Sequence, residues 1–210
     1  ESVCKHSNQK IILLNDQNLV DYIRLPDYIE KKKDAGQIPM AGYADLMRFA
    51  LLEHYGGTWI DSTVYLTEPL PDTILNSDFF AVRNSLLLID NPVLYPAWFL
   101  HAKKGNNTIR EIRNVAFSYW LKNEHVIEYL LPNLIITLVV KSNPEVEKAI
   151  PYMNSDYSEY LVKVLADDYS EEKWNWIKKL TGIHKLTYKL SPDIEAEGTF
   201  YKALIENSIK

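Results

Sequence analysis

Two adjacent glycines that end a long apolar run and reopen it as a strand-like segment are the strongest constraint on how this chain folds. The stretch Tyr43 to Thr67 reads YADLMRFALLEHYGGTWIDSTVYLT. Asp45 and Arg48 stand at i and i+3, so on a helix they share a face, and Leu46, Met47, Phe49, Ala50, Leu51 and Leu52 around them are apolar. Gly56 falls where a left-handed C-cap requires glycine, and Gly57 lets the backbone turn into Thr58-Trp59-Ile60. Asp61 is thereby expected at the end of a buried strand, the position at which open α/β sheets bind ligands.

The chain has 210 residues, of which 47% are hydrophobic, enough for one well-filled core. A single domain over 1–210 is expected, with 1–190 as its core and 191–210 as a peripheral C-terminal tail. A net charge of −5 argues against nucleic acid as the principal partner. Cys4 is the only cysteine, which excludes an intramolecular disulfide framework or a CxxC zinc site and favours a reducing compartment. Leu130 to Val140 is too short and too broken by Pro132 and Asn133 to span a bilayer. No signal-peptide pattern opens the chain, and the missing initiator methionine leads us to expect residues upstream of Glu1.

Taken in order, Lys10 to Leu14 (KIILL) reads as a buried strand. Asn15 and Asp16 offer N-cap chemistry for a helix over Leu19 to Arg24, which Pro26 stops. A second helix is expected over Asp27 to Lys33, with its acids early and its three lysines late. Those lysines read as a solvated helix end, or as a contact for an acceptor or a lipid headgroup. Ala35 to Gly42 is a loop. Asp72 caps a short helix through Leu75, and Phe79 to Arg83 and Ala97 to Ala102 read as strands. A helix follows from Thr108 to about Leu121, while Pro132 to Val140 fits either a helix or a strand. Tyr157 to Asp168 has helical spacing. Ser170 caps a helix that carries Trp174, Ile177 and Leu180 on one face and that ends with Gly182 as a left-handed residue. Ile183 to Lys189 is a strand or loop. This alternation predicts an α/β fold with a mixed or parallel central sheet flanked by helices.

Asp45, Arg48 and Asp61 suit a hard divalent cation, the hydroxyls of a sugar, or a diphosphate. Each also has a purely structural explanation. Asp45 can stabilise a helix N-terminus with Arg48 as its ion partner, and Asp61 can form an Asp-Ser turn. A histidine such as His184, beside an apolar strand, is ordinarily a buried, satisfied imidazole.

The string ADLMRFALLEHYGGTWIDSTV resembles the core motif of the sugar-transferring proteins grouped with glycosyltransferase family 32, in particular the capsular polysaccharide synthesis proteins. IHKLTYK and AWFLHAKKGNNTI resemble further blocks of that group, so the resemblance runs from about Lys10 to Lys189. It implies a GT-A-like nucleotide-sugar-binding domain that lacks its first strand, since the matching segment would precede Glu1. It implies a metal-assisted glycosyltransferase, retaining in stereochemistry, that moves a sugar from a nucleotide-diphosphate donor, a UDP-sugar, to an oligosaccharide or polysaccharide acceptor. Carried over by position, Asp45 and Arg48 would hold the sugar, and Asp61 would contact the diphosphate and a Mn²⁺ or Mg²⁺ ion. Thr63 stands where Asp-x-Asp enzymes have a second acid. His184 is the expected second metal ligand, and Lys185 is expected to meet the diphosphate. A cytoplasmic location at the inner face of the membrane, with peripheral membrane association, follows from the same resemblance. A non-catalytic nucleotide-sugar or glycan-binding module is the alternative, and an acidic α/β scaffold of an assembly complex is a third reading.

Overall fold

The structure is a computed structural model, and it describes residues 1–15, 17–85, 90–190, 194 and 196–206. Asp16, Pro192 and residues 207–210 of the expected tail lie outside the described residues. Two compact units are distinguished within the chain. One comprises Ile12–Ile60 and Pro71–Met153, the other Glu1–Ile11, Asp61–Leu70 and Asn154–Lys210.

The larger unit is built on the helix that the glycine pair terminates. Its helices run α2 (Leu19–Tyr22), α3 (Asp27–Asp34), α4 (Met40–Tyr55), α5 (Asp72–Leu75), α6 (Asn107–Lys122), α7 (Leu131–Ser142) and α8 (Pro144–Ala149). The helix α4 starts three residues earlier than the loop reading allowed, directly behind the extended Pro39. It packs against α6, which packs in turn on α3 and α7. Phe49, Ile109, Ile112 and Ile136 are completely buried in the core between these elements. Burial of each such side chain stabilises the fold by about 1.5–3 kcal/mol.

The undecided apolar segment is the helix α7, with Pro132 in its first turn, where a missing N–H costs nothing. Two of its polar side chains tie down the approach to a strand. The Asn133 Oδ1 accepts from the Ala97 N–H at 2.9 Å, and the Thr137 Oγ1 accepts from the Leu94 and Tyr95 N–H groups at 3.0 and 3.2 Å. Both would have been costly inside a strand facing a dry core, because each buried polar group needs a partner.

The strands of this unit are β1 (Gly57–Ile60), β3 (Phe79–Ala81) and β4 (Phe99–Ala102), in the order β1-β4-β3. Both pairings are antiparallel, with Ile60 opposite Phe99 and Phe79 opposite Ala102. The central strand β4 is buried along its whole length. Gly56 has φ 71° and ψ −167°, a positive-φ conformation outside the left-handed helical region, and its N–H closes on the Leu52 carbonyl at 2.9 Å. A Cβ there would lie 2.5 Å from the Lys104 backbone nitrogen, so both conformation and space demand glycine.

The smaller unit holds α1 (Ser2–His6), β2 (Val64–Leu66), α9 (Ser155–Ser158), α10 (Tyr160–Lys163), α11 (Glu171–Leu180), β5 (Ile183–Lys185) and α12 (Phe200–Ile205). The strands β2 and β5 pair antiparallel, with Val64 opposite Lys185, Tyr65 opposite His184 and Leu66 opposite Ile183. Beyond the strand ends, the Thr67 N–H donates to the Gly182 carbonyl at 3.0 Å and the Leu186 N–H to the Thr63 carbonyl at 2.8 Å. The helix α11 is capped as expected by Ser170, whose Oγ accepts from the Lys173 N–H, and it buries Trp174 and Ile177. Leu161, Ile177 and Phe200 complete a second apolar core.

Several expectations are corrected. Among the described residues every strand pairing is antiparallel, where a mixed or parallel sheet was expected. Parallel neighbours need a crossover of a dozen or more residues, usually an α-helix, and the one-turn helix α5 does not supply one. Lys10 to Leu14 forms no strand, and Leu13 is 80% exposed. Tyr157 to Asp168 is two single turns around α9 and α10 rather than one helix. Gly182 does stand at C′, directly after the C-cap Thr181, but without a positive φ. It is needed for space, since a Cβ there would meet the Glu68 Cβ at 2.9 Å. The segment expected as a peripheral tail places Ile194, Phe200 and Ala203 in the buried core of the smaller unit. No helix among the described residues is long and apolar enough to cross a membrane.

Candidate functional site

Asp61 follows β1 directly and opens the turn into β2, where the Val64 N–H donates to the Asp61 carbonyl at 2.9 Å. The Asp-Ser turn is therefore real, and it leaves the side chains of positions 61 and 63 at the head of β2. On β5, Lys185 stands opposite Val64. Its Nζ donates to the Thr63 Oγ1 and lies 3.5 Å from the Asp61 Oδ2. The Lys185 and Asp61 side chains keep 23% and 26% of their surface in contact with solvent. Three of the residues singled out from sequence, Asp61, Thr63 and Lys185, thus form one cluster inside the smaller unit.

His184 is not part of that cluster. Neighbouring residues on a strand face opposite sides, and His184 points away from Lys185 into the second core. It is fully buried between the rings of Trp174 and Tyr65, with centroid distances of 6.2 and 6.5 Å. Its Nε2 is 3.2 Å from the Thr67 Oγ1. Burial pushes the imidazole pKa down to about 4, so it is neutral across the physiological range.

Glu159, between α9 and α10, was missed by the sequence reading. Burial pushes its carboxyl up; Lys163 opposes this, Asp156 adds to it, and Lys185 opposes it more weakly. Both short helices pack on β5, which brings this half-buried acid into the electrostatic field of Lys185. The signal available in sequence was an acid set in the apolar helical run around Tyr160 and Leu161.

Asp45 and Arg48 lie on α4 in the larger unit. They form the expected i,i+3 pair, with Nη1 to Oδ1 at 2.8 Å. Arg48 is 6% exposed. Its Nη1 also donates to the Ala97 carbonyl at 2.6 Å, and its guanidinium lies 4.9 Å from the centre of the Trp59 ring. Such an arginine fastens α4 to the segment entering β4 and to the strand β1. Asp45, more open at 18% of its side-chain surface, is the member of the pair better placed to accept from a ligand hydroxyl.

As placed, His184 does not join Asp61 and Thr63 around one point. The oxygens of Asp61 and Thr63 that an ion would take already face an ammonium group, and the expected imidazole ligand is on the other face of β5. Among the described residues no group of three or more His, Cys, Asp or Glu converges to hold a metal. What the arrangement offers is a solvent-reachable cation braced by a carboxylate and a hydroxyl, which suits a phosphate or diphosphate.

Comparison with known proteins gives one family. A family model described as capsular polysaccharide synthesis protein matches residues 1–204. No curated protein matches the chain.

Proposed function

The chain belongs to the capsular polysaccharide synthesis protein family, and from that premise we propose that it is a glycosyltransferase acting in capsule biosynthesis. It moves a sugar from a nucleotide-diphosphate donor, a UDP-sugar, to a growing capsular or surface polysaccharide at the cytoplasmic face of the membrane. The observation that carries this reading is the cluster of Lys185, Asp61 and Thr63, where one exposed turn and one strand present a braced ammonium to solvent.

In the transfer, the bond between the anomeric carbon and the β-phosphate oxygen breaks, and its electron pair leaves with the nucleoside diphosphate. An acceptor hydroxyl forms the new bond to the same carbon, on the same face for a retaining outcome, and its proton passes to the departing phosphate oxygen. Negative charge grows on that oxygen, and an ammonium fixed in advance offsets it without reorganisation. Asp61 and Thr63 hold the ammonium in place. In the larger unit, Asp45 is proposed to accept from a sugar hydroxyl while Arg48 fixes its orientation.

The test is incubation of the chain with a panel of nucleotide sugars, with and without Mn²⁺, while released nucleoside diphosphate is measured. At least one donor is expected to turn over, and Asp61→Ala is expected to lower its rate by about a hundredfold, on the scale of losing one preorganised charge-stabilising group. If no donor is turned over under either condition, the enzyme reading falls. Tight donor binding without turnover would instead establish a recognition module.

A further inference from the structure

We propose that Lys185 is the resident cation of this site, doing for a bound diphosphate what a divalent metal ion would otherwise do, so that nucleotide binding is independent of metal. The inference rests on the nucleotide-diphosphate reading above and concerns how that ligand is held.

The tripeptide Asp61-Ser62-Thr63 leads directly into β2. A pair of carboxylates at its first and third positions would hold a small hard cation between them, because such ions choose charged oxygen ligands. Here the third position carries a neutral hydroxyl. Lys185 Nζ occupies the place between the two side chains, donating to the Thr63 Oγ1 and facing the Asp61 Oδ2 at 3.5 Å. An ammonium has three protons to donate. Two are directed at these oxygens, and the third remains for a phosphate oxygen arriving from the solvent side.

The position of this ammonium is set by backbone. Lys185 is the last residue of β5 and pairs with Val64, and the flanking bonds Thr67 N–H to Gly182 O and Leu186 N–H to Thr63 O clamp both ends of the ribbon. A divalent ion taking the same two oxygens would sit against the ammonium and be repelled by it. The other ligand that might compensate, His184, is committed to the buried face with its Nε2 at Thr67. Glu159, whose carboxyl burial pushes up, is a further acid in the field of Lys185. The exchange of a second carboxylate for Thr63 and the presence of Lys185 opposite it are therefore two halves of one arrangement.

The experiment uses the full chain and UDP as the probe, with binding measured by titration calorimetry in EDTA and again in Mn²⁺. Wild type is expected to bind UDP in EDTA with an affinity within about threefold of that in Mn²⁺. Lys185→Met is expected to weaken binding in EDTA by roughly tenfold to a hundredfold, the scale of one hydrogen bond to a charged group. Because that change removes the ammonium that faces the two oxygens, Mn²⁺ should restore part of the loss. Electron paramagnetic resonance of Mn²⁺ without nucleotide is expected to show the ion free beside wild type and partly bound by Lys185→Met. Lys185→Arg, which keeps the charge, is expected to retain binding in EDTA, and it stands in if the methionine variant does not fold. Wild-type binding that EDTA abolishes and Mn²⁺ restores would overturn the proposal while leaving the nucleotide reading intact. Absence of UDP binding to wild type in both conditions would overturn both.

Discussion

Lowering the pH from about 7.5 to about 5 is predicted to remove roughly 2 kcal/mol of stability through His184 alone. In the folded chain the imidazole is 0% exposed, its Nε2 lies 3.2 Å from the Thr67 hydroxyl, and desolvation holds its pKa down to about 4 from the ordinary 6.5. The unfolded chain therefore takes up a proton as pH falls through 6.5, whereas the folded chain refuses it until about 4. Stability is complete above the upper value, declines through the window between the two, and levels off below the lower one. At about pH 5 the gap is about one and a half pH units, each worth ~1.4 kcal/mol, which gives the figure above. For a chain of this length the midpoint of thermal unfolding would drop by about 4–8 °C. The assay is urea denaturation at both pH values for wild type and for His184→Gln, which cannot titrate in this range. His101, also pushed down by burial and then by Lys103, contributes equally to both proteins and cancels in the comparison. The pH-induced loss in wild type should exceed that in the variant by roughly 2 kcal/mol. A difference below about 0.5 kcal/mol, smaller than a typical failure of additivity, would show that the imidazole is not held neutral by its surroundings and would refute the reasoning.

Arg48→Met is expected to destabilise by about 3–5 kcal/mol, because it removes one partner of a buried ion pair and the donor to the Ala97 carbonyl; urea denaturation measures it. Gly56→Ala combines a positive φ with a Cβ at 2.5 Å from backbone, and a loss of more than about 3 kcal/mol or failure to fold is expected. Gly182→Ala pushes on the Glu68 Cβ at 2.9 Å, and a loss of about 1–3 kcal/mol should appear as a lower thermal midpoint.

Those parts of the fold that local chemistry dictates were legible in the sequence. The helix α11 was readable from Ser170 through its acidic first turn to its lysines, and the helix-glycine-strand passage from α4 to β1 was readable from the glycine pair. Lys10 to Leu14 shows where such reading stops. An apolar run is a strand only if another strand accepts it, and nothing in those five residues tells whether one does. The antiparallel order β1-β4-β3 was hidden for the same reason, since pairing partners are set by distant segments. Within the site, Asp61, Thr63 and Lys185 were found individually, and their meeting was not. Placing His184 on a metal ion and Lys185 on the diphosphate of one site overlooked the period of two along a strand, which sends adjacent side chains to opposite faces. Glu159 went unnoticed because its interest lies in its burial, a property of the fold rather than of the letter.

The smaller unit also sets a schedule. It is assembled from three separate parts of the chain, and Phe200 is completely buried in its core. Lys185 reaches Asp61 across a separation of 124 residues. At translation rates of about 5–20 residues per second, Asp61 leaves the ribosome roughly 6–25 s before the residue that braces it. The larger unit, by contrast, is complete in sequence once Met153 has emerged. A nascent chain that has reached Met153 thus carries every residue of the larger unit while its proposed anion site still lacks Lys185.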